Sequence, residues 1–132
     1  MTWEEFQNEI TNLSSKIDFT PDIIVGISRG GLIPARLLSS SLNVKEMFCL
    51  TVKKQNDERV LTTEIIENIS GKYILLVEDM LESGKSLQVA KQYLEKKGAS
   101  VKTACLYTMP ISKVIPDYSL SERKDVVSFP WE

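Results

Sequence analysis

Residues 77–86, Val-Glu-Asp-Met-Leu-Glu-Ser-Gly-Lys-Ser, put two adjacent carboxylates at the end of an apolar run and a small-residue turn just beyond it. Ser83-Gly84-Lys85-Ser86 can present successive amides and two hydroxyls at the start of a helix, which suits a single phosphate group. Glu78 and Asp79 suit a different part of a ligand. Carboxylates accept hydrogen bonds from the vicinal hydroxyls of a sugar and hold Mg²⁺ directly or through water. Phosphate on one side and diol on the other describes a ribose 5-phosphate. The turn also looks like the end of a polyphosphate-binding G-x-x-x-x-G-K-[ST] loop, but the position of the first glycine is held by Asp79. Two negative charges there repel a polyphosphate at close range, which argues against a P-loop kinase or ATPase. The plain alternative is a surface loop whose acids favour the helix N-terminus.

A second segment, Ser28-Arg29-Gly30-Gly31, also leaves an apolar run. Its glycines let backbone N–H groups approach an oxyanion, and Arg29 adds a planar set of donors suited to phosphate. Alone it is equally a structural strand-to-helix turn.

These groups act together only if the chain brings them to one place. Trp3, Phe6, Ile10, Leu13 and Ile17 form one apolar stripe of an N-terminal helix. "DIIVGIS" reads as a buried strand, and "LIPARLLSSSL" as a helix with Pro34 in its first turn. "VKEMFCLTV" follows as a second strand, and the polar run Lys53 to Arg59 reads as an exposed, irregular loop. Residues 60–66 fit either strand or helix. "KYILLVED" is a strand, and a helix over 85–97 carries Leu87, Ala90 and Leu94 on one face, with Gly98 placed to end it. "SVKTACLYTM" is the next strand, Pro110 opens an irregular segment, and "DVVSFPWE" closes the chain with a short strand. Strands alternating with helices predict a parallel, doubly wound α/β sheet, whose ligands bind outside the carboxyl ends of the strands.

Composition bounds the partners. The 132 residues amount to one domain, 1–132, with 16 basic and 18 acidic side chains and a net charge of −2. No block of one sign suggests nucleic acid or a membrane surface as a partner. The longest apolar run, Tyr73 to Val77, is far too short to span a bilayer, and the first residues have no signal-peptide pattern, so a cytoplasmic protein is expected. Histidine is absent, which removes Ser-His and Cys-His nucleophile pairs and most zinc sites. Cys49 and Cys105 lie in apolar, strand-like stretches and read as buried free thiols.

The strand ending in Glu78-Asp79, followed by two apolar residues, an acid and Ser83-Gly84-Lys85-Ser86, resembles the signature of the type I phosphoribosyltransferases. The form "VEDMLESGKS" is most similar to their 6-oxopurine salvage branch, which handles hypoxanthine, guanine or xanthine. "IIVGISRGGLIPARLLSSSL" resembles the pyrophosphate loop and following helix of xanthine-guanine phosphoribosyltransferases, and "FPWE" the C-terminal base-binding segment of short purine enzymes. The resemblance implies a mainly parallel sheet flanked by helices, with a minimal C-terminal base-binding segment. It also implies a homo-oligomer, dimer or higher, that moves ribose 5-phosphate from phosphoribosyl pyrophosphate (PRPP) to a base nitrogen with Mg²⁺.

On that resemblance PRPP is bound by Ser28, Arg29, Gly30, Glu78, Asp79, Glu82, Ser83, Gly84, Lys85 and Ser86. Asp79 and Glu78 hold the metal, and Glu82, Asp79 and Arg29 are the catalytic groups. Glu82 matches an aspartate assigned as the general base for purine N7, one methylene longer. The run from Lys53 to Arg59 falls where the family carries a mobile lid, and the Ser28–Arg29 peptide is expected to be cis. The base is expected against Met109, Val126 and Val127. Met109 stands where the xanthine-guanine group has a lysine that donates to the 6-oxo group, and Val126 where it has the stacking residue. Loose selectivity or an unusual base follows, with Lys113 as a displaced donor. Two rivals stand beside this reading: a PRPP-sensing regulator without catalysis, and a transferase for uracil, orotate or adenine.

Overall fold

The computed structural model describes residues 1–132. Three helices and eight strands build two sheets. Strands β1 (Ile23–Ser28), β2 (Met47–Gln55), β4 (Tyr73–Val77) and β6 (Ser100–Ala104) run parallel, and β3 (Glu58–Leu61) adds an antiparallel edge, in the order β3-β2-β1-β4-β6. The second sheet joins β5 (Met80–Leu81), β7 (Tyr107–Thr108) and β8 (Ser121–Glu122) in the order β5-β7-β8.

The central strands are apolar on both faces because both are covered. Ile24, Leu75 and Val77 face α1 (Trp3–Lys16) and α2 (Leu32–Ser41), while Ile23, Val25, Ile27, Ile74 and Leu76 share a core with α3 (Lys85–Lys96). Phe6, Ile10 and Leu13 of α1 are wholly buried, as the stripe predicts, and each such side chain contributes about 1.5–3 kcal/mol. Leu87, Ala90 and Leu94 do the same for α3, and Gly98, at φ 95°, turns the chain out of that helix. No helix is long and apolar enough to cross a membrane.

The structure corrects four local expectations. The run from Lys53 to Arg59 is exposed but not irregular: β2 continues to Gln55, pairs back with β3, and turns at Asn56 and Asp57, both at positive φ. Two such residues make a tight hairpin turn that matches strand twist, while Val52 and Leu61 at the base of the hairpin pack on the α3 side of the core. "SVKTACLYTM" is two strands, because pairing with β4 ends at Ala104 and the chain then joins the second sheet. "DVVSFPWE" forms no strand; Phe129 is buried by stacking on Tyr107 and Trp131 instead of by a ladder. Cys105 is buried, but Cys49 is exposed, on a strand face that α2 does not cover.

Candidate active site

Strand β1 leads through α2 to β2 on one side, and β4 pairs with β1 on the other, so the strand order reverses between β1 and β4. A crevice opens at such a point. Glu78 and Asp79 lie there, at the seam where the chain passes from β4 into β5 and so from one sheet to the other. The seam is pinned by Glu78 N–H donating to Ala104 O at 3.0 Å and Leu106 N–H donating to Asp79 O at 3.0 Å. Asp79 Oδ1 accepts from Met80 N–H at 2.6 Å, which fixes its carboxylate.

A cavity of about 290 Å³ surrounds the pair. Glu82, Ser83, Gly84, Lys85 and Ser86 line it, as do Arg59, Val126, Val127, Phe129 and Glu132. The helix ends explain what it can hold. Helix α1 closes its own N-terminus with a capping box, Thr2 and Glu5, and two first-turn acids. Helices α2 and α3 start at Gly31 and Gly84, without a side-chain cap and without an acid in the first turn. The first N–H of α2, Leu32, donates to Arg29 O at 3.2 Å and that of α3, Lys85, to Ser83 Oγ at 3.3 Å, so at α3 the next amides, Ser86 and Leu87, are the ones left for an anion. Gly84 sits at φ 82°, which a residue with a Cβ rarely adopts, and that conformation turns the chain into α3 at the cavity wall.

The Ser28 to Gly31 loop abuts the same acids. A Cβ on Gly30 would fall on the Asp79 carboxylate, so this close approach requires glycine. The Ser28–Arg29 peptide is cis, and Ser28 Oγ lies 2.5 Å from Thr51 Oγ1 on β2. Arg29 is exposed.

Burial pushes the Glu78 carboxyl from its ordinary 4.5 up to about 8, and the neighbouring Asp79 charge adds to the effect. Asp79 is raised as well, chiefly by burial, against the bond from Met80 N–H, with Glu132 and Glu82 adding repulsion. Two acids that resist ionisation side by side favour a cation between them and the ligand. The chain has no cluster of three acidic, cysteine or histidine ligands. Mg²⁺, which takes one or two carboxylates and completes its shell with water and substrate oxygens, fits that donor set.

The same shifts set a pH dependence. A carboxyl raised in the folded state binds its proton more tightly there than in the unfolded chain, so stability falls as pH rises from about 4.5 to about 8. Replacing Glu78 with Gln removes that penalty. The thermal midpoint of Glu78→Gln relative to the ligand-free wild type is therefore expected to climb between about pH 5 and about pH 8. A difference that is flat or shrinking over that range would contradict the burial argument.

The sequence-predicted residues do not all meet. Glu78, Asp79, Glu82 and residues 83–86 line the cavity with Val126 and Val127, and Gly30 touches Asp79. Met109 packs against the core on the α1 side and Lys113 lines a separate groove beside α3, so neither lines this cavity. Phe129 and Glu132, from the "FPWE" segment expected at the base, line it too, and so does Arg59, which sequence reasoning did not select. For Arg59 the available signal was the Asn56-Asp57 turn, which folds the hairpin back over the β2 end.

The family described as the phosphoribosyl transferase domain matches residues 2–132. The crystal structure of a purine phosphoribosyltransferase from Pyrococcus horikoshii is 35% identical, with a TM-score of 0.94, over 100% of this chain and 92% of that one. A xanthine-guanine phosphoribosyltransferase of Cereibacter sphaeroides is 25% identical over 146 residues, covering 100% of this chain and 85% of that protein. A xanthine-guanine-hypoxanthine phosphoribosyltransferase from Helicobacter pylori, 22% identical, has the same fold, with a TM-score of 0.85 over 99% of this chain and 90% of that one.

Proposed function

The chain belongs to the phosphoribosyl transferase family, and on that premise we propose that it is a pentosyltransferase moving ribose 5-phosphate from PRPP to a purine, with release of pyrophosphate. One observation carries this reading: an acid pair at the sheet seam shares a cavity with a helix N-terminus whose N-cap is a glycine and whose first turn has no acid. That combination suits the diol and the 5-phosphate of one ribose.

As the bond from ribose C1 to pyrophosphate loosens, positive charge builds on the sugar and negative charge on the leaving group. Electrostatic placement then does most of the catalysis. Glu78 and Asp79 accept hydrogen bonds from the ribose hydroxyls, and the amides and hydroxyls of Ser83, Gly84, Lys85 and Ser86 grip the 5-phosphate. Ser28, Arg29 and Gly30 receive the pyrophosphate, a role supported by the contact of Gly30 with Asp79. Arg59 brings a second guanidinium from the hairpin, which would close the cavity from water. Glu82, exposed at the cavity, takes the proton from purine N7. Mg²⁺ held by Asp79 and Glu78 would neutralise charge on the departing pyrophosphate. The base lies against Val126, Val127 and Phe129, an apolar wall without a lysine donor.

Pyrophosphate release with PRPP and Mg²⁺ across hypoxanthine, guanine, xanthine and adenine tests the reading. Turnover with purines is expected, and selectivity should be loose, within about 10–200-fold per small group, because an apolar wall discriminates weakly. A preference above roughly a thousandfold would mean that a polar side chain reads the 6-position after all. Tight PRPP binding without release on any base would instead point to a sensor.

A further inference from the structure

Tyr107 is wholly buried, yet its hydroxyl is placed for a task that an apolar side chain could not do. It donates to Glu9 Oε1 on α1 at 2.6 Å, the Arg123 guanidinium lies 4.4 Å from the ring centre, and Arg123 reaches Glu9 at 3.9 Å. Burying a phenol beside a carboxylate is unfavourable unless both are paired, as they are here. Burial and the bond to Glu9 push the phenol up to about 12, so it remains a donor at neutral pH.

The residue joins two walls of the cavity. Its ring stacks on Phe129 at 6.2 Å and 16°, and Phe129 stacks on Trp131 at 4.8 Å and 3°. Phe129 belongs to the cavity wall, in the tail that also supplies Val127 and Glu132. On its other side the Tyr107 backbone pairs, through β7, with Met80 of β5, immediately after Asp79 and just ahead of Glu82. We infer that Tyr107, anchored by Glu9, is a positioning residue that sets the base-binding tail at a fixed distance from the acids of the ribose end. This rests on the transferase reading, and it adds a residue of α1, Glu9, that does not line the cavity.

Kinetics of Glu9→Ala, Tyr107→Phe and Glu9→Gln, with the purine and PRPP varied separately, test it. Glu9→Ala and Tyr107→Phe are expected to raise KM for the purine by roughly tenfold or more, since small misplacements cost that much. KM for PRPP should stay within about twofold, because the acids and the Ser83 turn keep their own bonds. Glu9→Gln keeps an oxygen that accepts from the phenol, and should return the purine KM to within about threefold of wild type. Purine and PRPP KM rising together, an unmoved purine KM in Tyr107→Phe, or Gln behaving like Ala would each overturn the inference. A wild type inactive with every base would instead defeat the transferase reading, so the two failures are distinguishable.

Discussion

Replacing Asp79 with Asn is expected to lower turnover by roughly 10²–10³-fold, the scale seen when one aligned electrostatic group is lost from a transition state. The thermal midpoint should hold or rise. Asn retains the oxygen that accepts from Met80 N–H, so the local backbone is unaffected. It also removes a charge that burial, Glu132 and Glu82 already disfavour. Loss of activity and gain of stability in one variant is the signature of a group held ready for a ligand rather than for the fold. Turnover and midpoint measured on the same preparation decide it, and near-normal turnover would remove Asp79 from the chemistry.

Gly30→Ala and Gly31→Ala should fail in opposite ways although they are neighbours. A Cβ on Gly30 collides with the Asp79 carboxylate, a short side chain pinned by its own hydrogen bond. Activity should fall by about 10²-fold, as for a misplaced catalytic group, with the midpoint little changed. A Cβ on Gly31 meets backbone instead, Ile27 O at 2.8 Å and Ile27 N at 2.9 Å as well as Val77 O, and those atoms belong to the two central strands. Overpacking of that kind costs about 1–3 kcal/mol, or roughly 5–15 °C for a chain of this size. Activity and melting curves for both variants check the contrast; a stable, active Gly30→Ala would show that the loop can retreat from Asp79.

What the sequence disclosed and what it hid follow from where packing acts. The stripe of Phe6, Ile10 and Leu13 is periodic because a core covers one face, the runs at Ile23–Ser28 and Tyr73–Val77 are continuously apolar because cores cover both, and all were legible. The acid pair and the Ser83 turn were legible because their chemistry is local to one strand end. The hairpin over 55–58 was not, since residues 53–58 are exposed throughout and carry no apolar alternation, and only Asn56-Asp57 marked the turn. Strands of two residues, such as β5 and β7, are too short for any period. Arg59 reaches the cavity through tertiary folding, marked in the sequence only by the Asn56-Asp57 turn, whereas Phe129 and Glu132 lie in the ending whose resemblance pointed to the base. Cys49 alternates onto a bare face, which depends on how far α2 extends over β2.

The bond between Glu9 and Tyr107 spans 98 residues of chain, and Lys16 Nζ reaches Ser119 O, at 2.9 Å, across 103. A ribosome delivers α1 first, so during synthesis Phe6, Ile10 and Leu13 can pack early on Ala35 and Leu38 of α2 but meet Tyr107 and Phe129 only when the far end of the chain emerges. Closing so long a loop is an entropic toll, which makes the Glu9–Tyr107 and Lys16–Ser119 contacts late events on the folding route. The parallel strands can collapse around α2 and α3 beforehand. A nascent chain would thus hold its Ser83 turn before its Phe129 wall, and in the interval between the two the part of α1 that awaits Tyr107 and Phe129 is open to chaperones and to aggregation.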